Sequence, residues 1–197
     1  DAITHAFTTL STGGFSIKNA SIAAYNSPAI EWIIIVFTVL ASINFSLMFL
    51  AIRGQIRTVL KNEELRTFLL ITVLAVAAVC ANLMMQMGLP FSQAVRDAAF
   101  QVTTISSTTG YATRDFALWP TFSQAILVLL MLIGGCAGST AGGTKVSRIL
   151  LQLKSVKREL NRIIHPNRIS VITMDGQTVA EQAVSSAMVF QVAYLLV

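Results

Sequence analysis

The residues of this chain that could do chemistry stand in a polar run: Ser106, Ser107, Thr108, Thr109, Gly110, Tyr111, Ala112 and Thr113. The run offers hydroxyls, backbone carbonyls and one glycine. Oxygens so arranged can replace the hydration shell of a monovalent cation. Glycine permits backbone angles that a side chain would forbid, so carbonyls can be aimed at one axis. A close copy, Ser11, Thr12, Gly13, Gly14, Phe15 and Ser16, lies 96 residues earlier. The candidate ion ligands are Ser11, Thr12, Gly13, Gly14 and Phe15, with Ser107, Thr108, Thr109, Gly110 and Tyr111. One such run alone reads as a Ser/Thr-rich surface loop. Two favour a pore lined by repeats, with each aromatic wedged outward to hold its turn open.

A third motif is glycine-rich: Gly134, Gly135, Cys136, Ala137, Gly138, Ser139, Thr140, Ala141, Gly142 and Gly143. Each glycine costs a helix about 1 kcal/mol against Ala, so the stretch breaks the apolar segment it follows. Gly134, Gly138 and Gly142 are also spaced for close helix packing. A phosphate loop is disfavoured, because Gly143, Thr144 and Lys145 lack the Gly-Lys-Ser/Thr order. A kink without function is the third alternative. Lys145 is a candidate electrostatic barrier to cations, or a lysine snorkelling to an interface.

These motifs need elements to position them, and the composition says of what kind. The chain is 54% hydrophobic and 12% charged, and its mean hydropathy is +0.70. That composition indicates an integral membrane protein. Cys80 and Cys136 stand in apolar surroundings, without disulfide or metal spacing. His5 and His165 are the only histidines. No paired carboxylates or metal constellation accompany the hydroxyls, so an enzyme is disfavoured. A membrane scaffold or interaction protein without ion conduction is the other alternative. The net charge of +5 is not a nucleic-acid signature. Most of the basic residues cluster at 53–66 and 145–168, each cluster following an apolar segment. That pattern places both clusters on the cytoplasmic side.

The expected architecture is all-α integral membrane, with helix, re-entrant pore helix and helix units repeated around a central pore. Residues 1–52 read as the end of one unit: a half-helix at 1–10, the first polar turn and a spanning helix at 29–52. Asp1 is expected to cap the half-helix, and Asn44 and Ser46 to bond another helix. Residues 53–66 read as a cytoplasmic loop. Residues 67–164 read as a complete unit: a span at 67–88, a half-helix at 92–105, the second turn, an inner helix from 116 broken at 134, and a basic helix from 144. His165, Pro166 and Asn167 are expected to stop that helix. Residues 165–180 read as a cytoplasmic hairpin turning at Asp175 and Gly176. Residues 181–197 read as the start of the next unit. No signal-peptide pattern is visible and the sequence stops within an apolar run, so a segment of a longer protein is expected.

Aligning Asp1 with Asp97 needs no gap. Ala2/Ala98, Thr8/Thr104, Ser11/Ser107, Thr12/Thr108 and Gly14/Gly110 are then identical. Such self-similarity points to internal duplication. A half-helix ending at mid-membrane directs its carbonyl end, the negative end of its dipole, at the pore centre.

With these motifs the chain resembles the TrkH/TrkG/KtrB superfamily of potassium transporters. The likeness rests on residues 11–16, on 108–113 and above all on 133–149, IGGCAGSTAGGTKVSRI. The segment from His165 to Asn167 fits the TrkH branch. Thr109, Gly110 and Tyr111 also resemble the centre of the potassium-channel filter signature. Ser16 and Ala112 depart from it, standing where a second glycine is expected, which implies fewer ion sites and weaker rejection of sodium. The resemblance implies four units around one pore in the bacterial inner membrane, with potassium as the transported ion and no bound cofactor. It implies that residues 134–143 with Lys145 form a gating loop under the filter. It also implies a homodimer and a cytoplasmic nucleotide-binding ring of the TrkA kind. The basic helix has two candidate partners, a cytoplasmic protein or anionic lipid.

Overall fold

The structure, a computed structural model, describes residues 1–165 and 171–196. Its order is α1 (Ala2–Leu10), a 3₁₀ turn (Ser21–Tyr25), α2 (Pro28–Ala41), α3 (Phe45–Ile52), α4 (Ile56–Lys61), α5 (Glu63–Met87), α6 (Phe91–Ser106), a second 3₁₀ turn (Phe116–Leu118), α7 (Thr121–Ile133), α8 (Val146–Ile164), a two-stranded hairpin of β1 (Thr173–Met174) and β2 (Gln177–Thr178), and α9 (Glu181–Leu196).

α6 is the hub. It packs against α2, α5 and α7, and from Ala98 to Ser106 all of its residues are buried. Its small residues Ala94 and Ala98 let α5 and α7 close in with Val79, Leu83, Leu127 and Leu130. A polar-rich helix surrounded by apolar ones is the arrangement that keeps hydroxyls out of lipid while leaving their backbone satisfied. Many large apolar side chains face outward instead. On α5, Leu70, Val73 and Leu74 are exposed.

Among the described residues α5 alone is long and apolar enough to cross a membrane by itself. Its start is capped by Asn62, whose side chain accepts from Leu65 N at 2.9 Å. Gly88 in the left-handed region ends it.

The expected continuous helix over 29–52 is corrected. α2 and α3 meet at 101° across a short break. Ser42 Oγ donates back to Thr38 O at 2.8 Å, and Asn44 caps the new helix by accepting from Ser46 N at 2.8 Å. Local side-chain bonds thus compete with the helical ladder. Pro28 does open α2, in its first turn. Residues 53–66 are not a plain loop, since they contain α4 and the first turn of α5. Asp1 makes no side-chain capping bond. Its carbonyl is engaged by His5, through the backbone N at 3.1 Å and Nδ1 at 2.8 Å.

The hairpin turns at Asp175 and Gly176, both at positive φ, as a tight two-residue turn requires. Asp175 then caps α5: it accepts from Asn62 Nδ2 and from Glu63 N, each at 2.7 Å. α8 ends at Ile164 with His165 as its cap residue. Pro166, Asn167 and Arg168 lie outside the described residues.

Candidate functional site

The two polar turns have matching backbones. α1 and α6 each end on a serine, Ser11 at φ −81 and ψ −2, Ser107 at φ −82 and ψ −9. Next comes a threonine at positive φ, Thr12 at 51 and Thr108 at 59. Two residues on comes a glycine at positive φ, Gly14 at 64 and Gly110 at 84. In each turn one helical carbonyl takes two amides. Thr8 O accepts from Gly13 and Gly14, at 2.8 and 3.4 Å, and Thr104 O accepts from Thr109 and Gly110, at 2.9 and 3.3 Å. The turns also touch. A Cβ on Gly14 would lie 1.8 Å from Thr109 O.

The hydroxyls are used differently from the carbonyls. Ser107 and Thr109 hydrogen-bond each other at 2.7 Å and are buried. Among the described residues no protein donor engages the carbonyls of Thr12, Gly13, Gly14, Thr108, Thr109, Gly110 or Tyr111. Unpaired backbone oxygens are costly unless water or an ion meets them.

Tyr111 is 1% exposed. It packs with Ile22, Ile34, Ile35 and Phe100, its ring stacks on His5, and its hydroxyl reaches Thr8. The second turn is thereby wedged against α1. Phe15 does not behave alike, being 74% exposed. The two aromatics, alike by sequence, thus have different surroundings.

The glycine-rich loop, residues 134–145, lies against both turns. Thr12 Oγ1 donates to Thr140 O at 2.9 Å, and Thr140 Oγ1 donates to Leu10 O at 2.9 Å. Gly142 N donates to Thr108 Oγ1 at 2.7 Å. On its other side the loop fills the break between α2 and α3. Cys136 N donates to Ser42 O at 3.0 Å, Thr140 N to Ala41 O at 3.3 Å, and Phe45 N to Gly138 O at 3.0 Å. The loop closes on itself where Gly134 and Gly143 meet backbone to backbone, and a Cβ on Gly143 would lie 2.6 Å from Gly134 Cα. Gly135 is equally crowded, by the Ala141 side chain. Ser139 Oγ donates to Cys136 O at 2.6 Å. Lys145 is left-handed at φ 74, and its Nζ donates to Ala141 O. That bond turns the lysine head into the loop. Cys136 is fully buried, and both cysteines are free.

The loop has a further anchor that no local sequence pattern marks. Glu64, 5% exposed, accepts from Ala137 N at 2.6 Å and from Ser147 N at 3.1 Å through Oε1. Asn44 was expected to bond another helix, and instead it caps α3 with its amide against Gly138. A signal for the break was present. Ser42 and Asn44 stand 96 residues before Gly138 and Thr140, the same offset that relates the turns.

Behind the second turn lies an ionic cluster. Arg96 Nε is 2.8 Å from Glu31 of α2, and Arg114, just past the turn, is 3.5 Å from Asp97. Among the described residues no group of three His, Cys, Asp or Glu could hold a metal.

The family model for TrkH, described as a cation transport protein, matches residues 1–197. The chain belongs to the TrkH family. It is 37% identical to the Trk system potassium uptake protein TrkH of Escherichia coli K12, covering all of this chain and 41% of that protein. It is 39% identical to the protein of that name from Vibrio parahaemolyticus, with the same coverage, and 34% identical to the Trk system potassium uptake protein TrkG of Escherichia coli K12. The crystal structure of the potassium transporter TrkH from Vibrio parahaemolyticus superposes with a TM-score of 0.91 at 38% identity, covering 100% of this chain and 43% of that one. The chain thus spans about two fifths of the length of these TrkH-family relatives.

Proposed function

We propose that this chain forms part of a potassium uptake pore in the bacterial inner membrane, with the two turns as a carbonyl-lined filter and residues 134–145 as its gate. The carrying observation is that one glycine-rich loop hydrogen-bonds to both polar turns, through Thr12, Thr140 and Thr108. A gate must lie across the path that the filter defines, and a loop bonded to both turns occupies such a place. Unengaged carbonyls in both turns supply the oxygens that a dehydrated cation needs. α1 and α6 act as re-entrant pore helices, and the matched backbones of their turns support duplication of the whole unit. The units divide as 1–52, 67–164 and 181–197, with 53–66 and 165–180 cytoplasmic. The names of the relatives, potassium uptake proteins, support potassium as the ion. A homodimer and a cytoplasmic nucleotide-binding ring complete the assembly in this reading.

The test is K⁺ against Na⁺ flux in liposomes carrying the full-length protein with its partner. Gly110→Ser reduces K⁺ preference, because a side chain at φ 84 distorts the turn. Unchanged selectivity removes the filter assignment. Deleting part of residues 138–143 raises basal flux, and unaltered flux reduces the loop to a packing element.

A further inference from the structure

We propose that Glu64 is the positioning residue that keeps the glycine-rich loop across the pore, by joining the loop to the start of α8 through one carboxylate oxygen. The proposal rests on the gate reading above and names how the gate is held and moved.

Glu64 lies in the first turn of α5 and is buried. Its Oε1 accepts from Ala137 N, in the loop beside Cys136, and from Ser147 N, in the first turn of α8. Among the described residues no lysine or arginine pairs with it. A buried carboxylate without a cation is costly, and two backbone donors offset that cost. One donor belongs to a helix N-terminus, whose dipole favours negative charge. The two donors lie on the loop and on the first turn of α8, which Val146 N also joins to the loop by donating to Gly135 O at 3.0 Å. Displacing α8 therefore withdraws one of the two bonds that hold the carboxylate against Ala137.

The same end of α5 is fastened to the rest of that side. Lys154 of α8 bonds Glu63 and the carbonyl of Thr173, and Asp175 caps Glu63 N. A pull on α8 or the hairpin thus reaches the helix turn that carries Glu64. The turns hold the other end of the loop through Thr12 and Thr108, and Tyr111 fixes the second turn on α1 independently of the loop. Loss of the Glu64 joint loosens the loop at Ala137 and Cys136 and leaves its bonds to the two turns in place.

The experiment uses the full-length protein in liposomes, in a background where Cys136 is the only thiol. Two quantities are read together: the rate at which a charged methanethiosulfonate reagent modifies Cys136, and basal K⁺ flux. Glu64→Gln raises both by about tenfold, since charge-assisted bonds become neutral ones of roughly half the strength. The K⁺/Na⁺ ratio stays at its wild-type value. Wild-type labelling in Glu64→Gln overturns the role of Glu64 and leaves the gate reading standing. Faster labelling with unchanged flux overturns the gate reading, and this proposal with it. If Glu64→Gln does not fold, Glu64→Asp decides by the same two readouts. It keeps the charge but is one methylene too short to hold both donors.

Discussion

Gly14 and Gly110 occupy the same place in their turns and share a positive φ, yet their surroundings differ. A Cβ on Gly14 would overlap Thr109 O, whereas a Cβ on Gly110 would meet nothing within 4 Å. Gly110 is needed for its backbone angle, and replacing it costs about 1–2 kcal/mol of left-handed strain. Gly14 is needed for angle and space together. Gly14→Ser is therefore expected to abolish K⁺ flux, while Gly110→Ser conducts with weaker selectivity. Parallel flux assays of the two variants check this, and equal phenotypes contradict it. The aromatic beside each glycine shows the same dependence on surroundings. Tyr111 is buried against α1 and Phe15 is exposed, although the two residues are alike by sequence.

At the scale of elements, the break between α2 and α3 governs where the glycine-rich loop can lie. Its open carbonyls at Ala41 and Ser42 receive amides from Thr140 and Cys136. A continuous helix would have kept those carbonyls for itself, and the loop would have no seat. Asn44 holds the break from the other side as the cap of α3. Asn44→Ala is expected to lower stability by about 1 kcal/mol, the usual worth of such a cap. It also loosens the loop at Gly138. Thermal unfolding in detergent measures the first effect, and a wild-type melting point contradicts it. Hydropathy does not reveal the break, because Phe45, Leu47 and Phe49 keep the segment apolar across it.

For the molecule as a whole, the two turns are joined twice, directly at Gly14 and Thr109 and indirectly through the loop. Thr12 and Thr108 each reach the loop through a hydroxyl, so removing either hydroxyl changes what the other holds. In a cycle of Thr12→Val, Thr108→Val and the double variant, basal flux is expected to be non-additive by about 1 kcal/mol, within the range for residues sharing partners. Each single variant raises flux. Additive effects show that the turns are held independently. The ionic cluster of Glu31, Arg96, Asp97 and Arg114 is a second whole-molecule tie, linking α2, α6 and the exit of the second turn.

The sequence alone determined the class of the chain, the two candidate turns, the glycine-rich break and the hairpin at Asp175 and Gly176. Each of these is written locally, in hydropathy, in glycine placement or in a match at one fixed offset. The family likeness was legible for the same reason, since residues 133–149 are contiguous. Only the tertiary structure decided that α2 and α3 are separate helices, that Glu64 anchors the loop, and that Tyr111 and Phe15 have different environments. Those features depend on amides and carbonyls of segments far apart in the chain. Glu64 meets Ala137 across 73 positions, and Thr12 meets Thr140 across 128. No local pattern carries such a pairing, because a hydrogen bond is specified by where two groups come to rest and not by the residues that flank them.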